Sequence, residues 1–243
     1  MDYKTFADEC QRLFLLNGMD SPSEDEMQSL SALTEIMLKV NEQMNLTAIT
    51  DCSQIIAKHY VDSLKISPYI PDGAKIIDVG CGAGFPSLPL AVFRKDVKIT
   101  ALDSTAKRIK YVQNTADLLE LDNLTAVAAR AEDYVKLNGV RESFDMAVAR
   151  AVADMPVLTE LCLPFVKVGG KFAAMKAAKA DEECERATNA IKKCGGSLLQ
   201  IISADLTLDG SNFESRKLIM IEKNEKTPKI YPRNFAQIMK KPL

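Results

Sequence analysis

The 243-residue sequence predicts an α/β fold: a mostly parallel sheet wound by helices on both faces, with an N-terminal helical cap over it. Three observations predict it. Residues 1–64 carry only helical apolar stripes, short apolar runs alternate with helical stripes after "PDG" at Pro71, and the first of those runs ends in a glycine-rich turn.

In the cap, Phe6, Cys10, Leu13 and Phe14 make a first stripe that Gly18 ends. Ser23 and Glu26 form a capping box ahead of Met27, Leu30, Leu33, Met37, Val40 and Met44, which share one helical face by their spacing. A third helix is expected from Ser53 through Ile56, Tyr60 and Leu64, stopping before Pro68. The core, 65–243, offers seven strands: Ile76 to Val79, Val97 to Leu102, Thr125 to Ala129, Met146 to Ala149, Lys171 to Met175, Leu198 to Ile202 and Lys217 to Glu222. No repeat or low-complexity segment interrupts them.

Composition bounds the chemistry. Hydrophobic residues at 47% and charged ones at 26% are ordinary for a globular protein. The opening "MDYKTFADECQ" mixes acids and bases, and no apolar stretch of spanning length lacks a charge, so a cytoplasmic protein without a membrane segment is expected. Cys10, Cys52, Cys81, Cys162, Cys184 and Cys194 form no C-x-x-C pair, so neither a metal site nor a redox motif is expected. Net charge is −2, yet Arg216 to Leu243 carries eight Lys or Arg against two acids, +6, leaving −8 for the remainder. A basic tail on an acidic body suits a polyanionic partner, with Arg216, Arg233, Lys240 and Lys241 in the tail and Lys176 at the end of the fifth strand as candidate phosphate contacts.

The stretch "IIDVGCGAGFPSLPLAV" from Ile76 places Gly80, Gly82 and Gly84 where an open α/β sheet binds its ligand. No Gly-Lys-Ser or Gly-Lys-Thr follows, which excludes a nucleotide phosphate loop. Phe85 stands where a dinucleotide fingerprint needs a small residue, and Pro86 and Pro89 remove amide donors from the helix start. S-adenosylmethionine carries no phosphate, so such a turn suits it better. Asp78 supplies an acid at the turn, Asp103 follows the second strand where a carboxylate can accept both ribose hydroxyls, and "RAED" from Arg130 follows the third strand where adenine would lie.

"MNLTAIT" at Met44, "KHYVDSL" at Lys58, "DVGCGAGFPSLPLA" at Asp78, "LDSTAKR" at Leu102, "FDMAVARAVADM" at Phe144, "GGKFAAMK" at Gly169 and "YPRNFAQIMKKPL" at Tyr231 together resemble the small-subunit rRNA guanine-N7 methyltransferase family, also called the glucose-inhibited division protein B family. The resemblance is collinear over nearly the whole chain. It implies a Rossmann-like S-adenosylmethionine-dependent methyltransferase sheet, methyl transfer to N7 of a guanine in the decoding-region loop of 16S rRNA, and the rRNA or small ribosomal subunit as partner. By motif position it implies cofactor contacts at Gly80, Phe85, Ala131, Glu132 and Arg150. Three small residues depart from the family pattern: Ser87 and Ala177 where glycine is usual, and Ala149 where serine is common. The tryptophan often found ahead of "NLT" is missing.

Guanine N7 carries an in-plane lone pair and no proton, so alignment matters and a general base does not. Ala149, Arg150 and Ala151 replace the Asn- or Asp-Pro-Pro-Tyr segment of exocyclic-amine methylation, and Cys162 in its apolar stripe is expected in the core, not as a pyrimidine nucleophile. His59, the single histidine, shares a helical face with Asp62, and both are positioning candidates with Arg150, whose fork suits the cofactor carboxylate. Phe85 and Tyr231 are expected mainly as core aromatics. A small-molecule methyltransferase and a non-catalytic RNA-binding factor are the competing readings, although the former has no use for the tail.

Overall fold

The computed structural model describes residues 2–243. Helix α1 (Tyr3–Leu16) starts at Asp2, whose carboxylate accepts the Thr5 amide, and α2 (Glu24–Met44) starts at Ser23 with both arms of the capping box formed. A cap of this kind stabilises a helix by about 1 kcal/mol, and Glu24, Asp25 and Glu26 add favourable charge at the positive end of the helix dipole. The third helix has three consecutive pieces: α3 (Cys52–Ile55), a π-helical turn (Ile56–Val61) and α4 (Asp62–Leu64). Its apolar spacing is plain in the sequence; the widened π turn, set by packing, is not.

There follow β1 (Lys75–Val79), α5 (Ser87–Phe93), β2 (Lys98–Asp103), α6 (Ala106–Leu118), β3 (Leu124–Ala128), α7 (Ala131–Tyr134), β4 (Phe144–Arg150), α8 (Met155–Cys162) and β5 (Val166–Lys176). Then come α9 (Ala180–Arg186), α10 (Thr188–Lys193), β6 (Gly196–Ser203), β7 (Leu206–Thr207), β8 (Phe213–Glu214), β9 (Lys217–Lys223) and α11 (Phe235–Lys240). All seven expected strands form one sheet in the order β3-β2-β1-β4-β5-β9-β6, parallel from β3 to β5, with β9 antiparallel to both its neighbours. The order reverses between β1 and β4, and their carboxyl ends are therefore where a ligand crevice opens. The ribbon of β7 and β8 is not anticipated by the sequence, because two-residue strands carry no readable period.

Alternation along the strands assigns the two faces. Ile76, Ile99, Met146, Val148 and Ala173 face α1, α2, the π turn, α5 and α6, so the N-terminal helices lie on the sheet through one continuous core. Phe14 and Phe93 stack across that seam with ring centroids 5.7 Å apart. Ile77, Ala147, Phe172, Ala174 and Ile219 face α8, α9, α10 and α11. Cys162 is wholly buried in this second core, as its apolar stripe implies.

The C-terminal segment is not a loose basic arm. Lys223 is fully buried and donates to Leu163 O at 2.8 Å, Arg141 donates to the carbonyls of Thr227 and Tyr231, and Ile238 seats α11 on the core. This route carries Phe235 back to the carboxyl ends of the parallel strands.

Candidate active site

The turn after β1 uses its own amides. Gly80 and Cys81 N–H both donate to Leu102 O, Gly82 N–H donates to Asp103 Oδ2 at 3.0 Å, and Gly84 and Phe85 N–H both donate to Cys81 O. Five of the six amides from Gly80 to Phe85 are thus committed inside the protein, and Pro86 has none. A phosphate has almost nothing here to bind. Glycine is required at two of these positions by space as well as by positive φ: a Cβ on Gly80 would lie 2.6 Å from Val152, and one on Gly84 would lie 2.5 Å from Leu88.

On one side of the turn lies a cavity of about 210 Å³, lined by Val79, Gly80, Leu102, Asp103, Ala131 and Phe235 among others. Asp103 is fixed at both oxygens, Oδ2 by Gly82 N–H and Oδ1 by Thr105 N–H at 2.8 Å, which leaves outward lone pairs to accept a vicinal diol. Leu102, Ala129, Ala131 and Leu161 offer the apolar walls a purine ring needs. Glu132 lines the same cavity, but its Oε1 accepts the Phe235 amide at 3.2 Å, tying the C-terminal segment to the pocket wall.

On the other side a cavity of about 340 Å³ opens between the turn and the helical cap. Arg150 ends β4 there. Its Nη1 donates to Lys58 O and to Asp62 Oδ2, both at 2.9 Å, and its guanidinium lies 5.4 Å from the Phe85 ring centroid. The π turn makes this possible, since Asp62 N–H bonds to Ala57 O and leaves Lys58 O accessible to Arg150. Asp62 also meets Arg216 at 3.6 Å, Arg216 pairs with Glu214, and Glu214 returns to Lys58. Arg150, Asp62, Arg216, Glu214 and Lys58 therefore close a ring of five charged residues that holds the Arg150 fork in place.

His59 stacks on Phe85 with ring centroids 4.5 Å apart, and its Nε2 meets Thr47 Oγ1 at 2.9 Å. Burial, then the nearby Arg150 charge, push its imidazolium down to about 4, so the ring is neutral at physiological pH. Cys81 lines this cavity as well, but burial raises its thiol well above the usual range and denies it a thiolate. Cys162 is raised for the same reason.

Several of the expected site residues have protein partners of their own. Asp78 does not reach either cavity: it is fully buried beneath the turn, accepts the Ser87 hydroxyl at 2.5 Å, and burial pushes it up to about 7. Ser87 thus has a specific partner. Gly84 serves packing against Leu88 and lines neither cavity. Lys176, Arg216 and Arg233, expected to meet RNA phosphate, make ion pairs within the protein. Lys176 is only 8% exposed and pairs with Glu183 at 2.6 Å while donating to Ala153 O. Arg233 clamps the buried Glu160 through three donors. Each side chain answers a buried or half-buried carboxylate that charge counting along the chain cannot locate. Tyr231 lines neither cavity, and its carbonyl accepts from Arg141.

Lys240 and Lys241 do remain exposed and, among the described residues, make no ion pair. So do Lys107, Arg108 and Lys110 on the first turns of α6, with Arg108 lining both cavities. Thr47, Val152, Leu161 and Phe235 line the cavities without being singled out by the sequence, although "MNLTAIT", "FDMAVARAVADM" and "YPRNFAQIMKKPL" contain three of them. Among the described residues no group of three or more His, Cys, Asp or Glu converges on a metal-sized site, and no helix is long and apolar enough to cross a membrane. A cavity of about 550 Å³ between α9, α10 and β6 shares no lining residue with the two cavities beside the turn.

Residues 26–208 match the sequence model of a family described as rRNA small subunit methyltransferase G, or GidB. The chain is 40% identical over 223 residues to the ribosomal RNA small subunit methyltransferase G of Clostridium beijerinckii, covering 91% of this chain and 92% of that one. It is 43% identical to the protein of the same name from Bacillus cereus, at 91% and 92% coverage, and 44% identical to that from Lactobacillus delbrueckii subsp. bulgaricus, at 85% and 87%. Among solved structures, TYW2 of M. jannaschii in complex with AdoMet superposes with a TM-score of 0.52 at 16% identity, covering 67% of this chain and 76% of that one. TYW2 of P. horikoshii in complex with MeSAdo gives 0.51 at 17% identity, with 66% and 60% covered. These two likenesses show the fold.

Proposed function

The chain belongs to the rRNA small subunit methyltransferase G family, and from that premise we infer that it transfers a methyl group from S-adenosylmethionine to N7 of a guanine in 16S rRNA. The observation that carries the cofactor assignment is the turn whose amides are already spent, beside a carboxylate held ready for a diol. Asp103, with Ala131 and Glu132 in the opposite wall, would hold the adenosine end; Arg150 would take the carboxylate of the amino acid end, its free donors forming a paired fork. S-adenosylmethionine, when bound, supplies a methyl on a sulfonium centre that leaves as a neutral sulfide.

The residues present agree with N7 chemistry. An N7 acceptor loses no proton, so a site whose only imidazole is neutral, stacked and engaged with Thr47 is sufficient. Neither thiol near the site is poised as a nucleophile. What the protein contributes is orientation: the Arg150 ring fixes one end, Asp103 the other, and the mouth between the cap and Val152 admits a base unstacked from a single-stranded loop. Lys240 and Lys241, with Lys107, Arg108 and Lys110, supply phosphate contacts along the approach. The reaction takes place in the cytoplasm, where small subunits are assembled. A small-molecule methyltransferase and a non-catalytic RNA-binding factor are not favoured by the family assignment.

The test is incubation with tritiated S-adenosylmethionine and small subunits from cells lacking this protein, followed by digestion and mapping. Label as 7-methylguanosine in 16S rRNA is expected; label elsewhere, or tight cofactor binding without transfer, contradicts the assignment.

A further inference from the structure

The two cavities meet at a waist. Gly80, Asp103, Arg108 and Val152 are the residues that line both. Gly80 forms its floor and Val152 its roof, and the isopropyl group fills the space that a Cβ on Gly80 would claim, with Cγ2 2.6 Å and Cγ1 3.0 Å from that position. In this arrangement the floor and roof touch. Adenosine alone needs only the cavity of about 210 Å³, whereas a ligand that also carries an amino acid end must pass through the waist into the cavity of about 340 Å³.

The backbone around Val152 is fixed on both sides and free between. Arg150 is held by Lys58 O and Asp62, Ala153 O accepts from the buried Lys176, and Asp154 caps α8. That leaves Ala151 and Val152. Ala151 sits at φ +55°, a left-handed conformation unfavourable for alanine, and Val152 is 40% exposed with no hydrogen-bonding group to hold its side chain. A two-residue span with an unfavourable backbone can move without disturbing the sheet. Lys176 thereby gains a role that its expected RNA contact did not suggest, as the anchor of one end of that span.

We propose that Val152 is the specificity residue of the waist: it closes directly on Gly80 when the adenosine cavity alone is filled, and moves aside to pack against the sulfur-bearing middle of a ligand that spans both cavities. An apolar, branched side chain suits this position, because it excludes water from the sulfur while presenting no lone pair that could compete as methyl acceptor. The proposal rests on the S-adenosylmethionine assignment above.

Calorimetry with adenosine and with S-adenosylhomocysteine, on the unaltered chain, Val152→Ala and Val152→Phe, tests it. Val152→Phe should weaken S-adenosylhomocysteine by about tenfold or more through overfilling of the waist, and adenosine, which does not cross the waist, by about threefold at most. Stopped-flow association of S-adenosylhomocysteine should be about threefold faster with Val152→Ala, because less side chain must clear the path. Val152→Leu, a smaller enlargement, should fall between the unaltered chain and Val152→Phe, and unchanged melting temperatures establish that each variant is folded. Parallel changes for both ligands, or no change for either, would overturn the role of Val152 while leaving the cofactor assignment standing. Failure of the unaltered chain to bind S-adenosylhomocysteine would remove that assignment, and the waist with it.

Discussion

The two ends of the groove are built by different means. The adenosine end rests on backbone: Asp103 is clamped by the amide of Thr105, two residues along the chain, on one oxygen and by the Gly82 amide of the turn on the other, and its walls come from strand ends that alternation places automatically. The cap end rests on side chains drawn from far apart. Arg150 reaches Asp62 across 88 residues of sequence, and Arg216 joins them from the other end of the chain. A backbone-built end tolerates loss of neighbouring charges, while a side-chain ring transmits the loss of any member to Arg150.

Mutations should separate the two. Asp103→Ala, which removes both the diol acceptor and the clamp on the turn, is expected to weaken S-adenosylmethionine by about a hundredfold, and adenosine in parallel, by calorimetry. Arg150→Ala should cost S-adenosylmethionine about tenfold to thirtyfold and leave adenosine within about twofold. If adenosine suffers equally, the ends are not independent. Asp62→Asn keeps the shape but loosens the ring, so an intermediate loss of about threefold to tenfold is expected, seen mainly in KM for S-adenosylmethionine and not in kcat. Smaller still, Lys240→Ala with Lys241→Ala should leave cofactor binding unchanged and flatten the salt dependence of RNA binding by about one log unit per log unit of salt. An unchanged slope would remove both lysines from the RNA surface.

The cap end also carries a pH signature. The folded His59 is depressed to about 4 from an ordinary value of 6.5, so it stays neutral while the unfolded chain gains a proton. Its contribution to stability is present above pH 6.5 and is lost as pH falls toward 4. Asp78 acts oppositely, since its folded value near 7 lies above the ordinary 3.8: the unfolded state releases the proton first, and stability falls as pH rises from about 4 to 7. Across pH 4 to 6.5 the two slopes oppose each other, so melting curves of His59→Gln should decline more steeply as pH rises through that window, and those of Asp78→Asn more steeply as pH falls through it. Persistence of both slopes in the variants would assign them to other groups.

The same contrast explains what the sequence revealed. Strands, the glycine turn, Asp103 and the capping box are local patterns, and each was found where its period or spacing placed it. The ring around Arg150, the Phe235 wall and the Val152 roof depend on contacts between distant segments, which no window of sequence contains. Charge counting failed for a related reason. Arg233, Lys223 and Lys176 look like solvated cations along the chain, yet Glu160, Leu163 O and Ala153 O await them in the fold. Arg150 and Asp62 were identified individually; that a π turn and Glu214 bind them into one unit was not.

The most direct measurement is a pair of calorimetric titrations of the purified chain, one with S-adenosylmethionine and one with NAD. A groove whose turn has spent its amides should give saturable heat with the first and none with the second. Saturable heat with NAD, and none with S-adenosylmethionine, would contradict the account at its foundation.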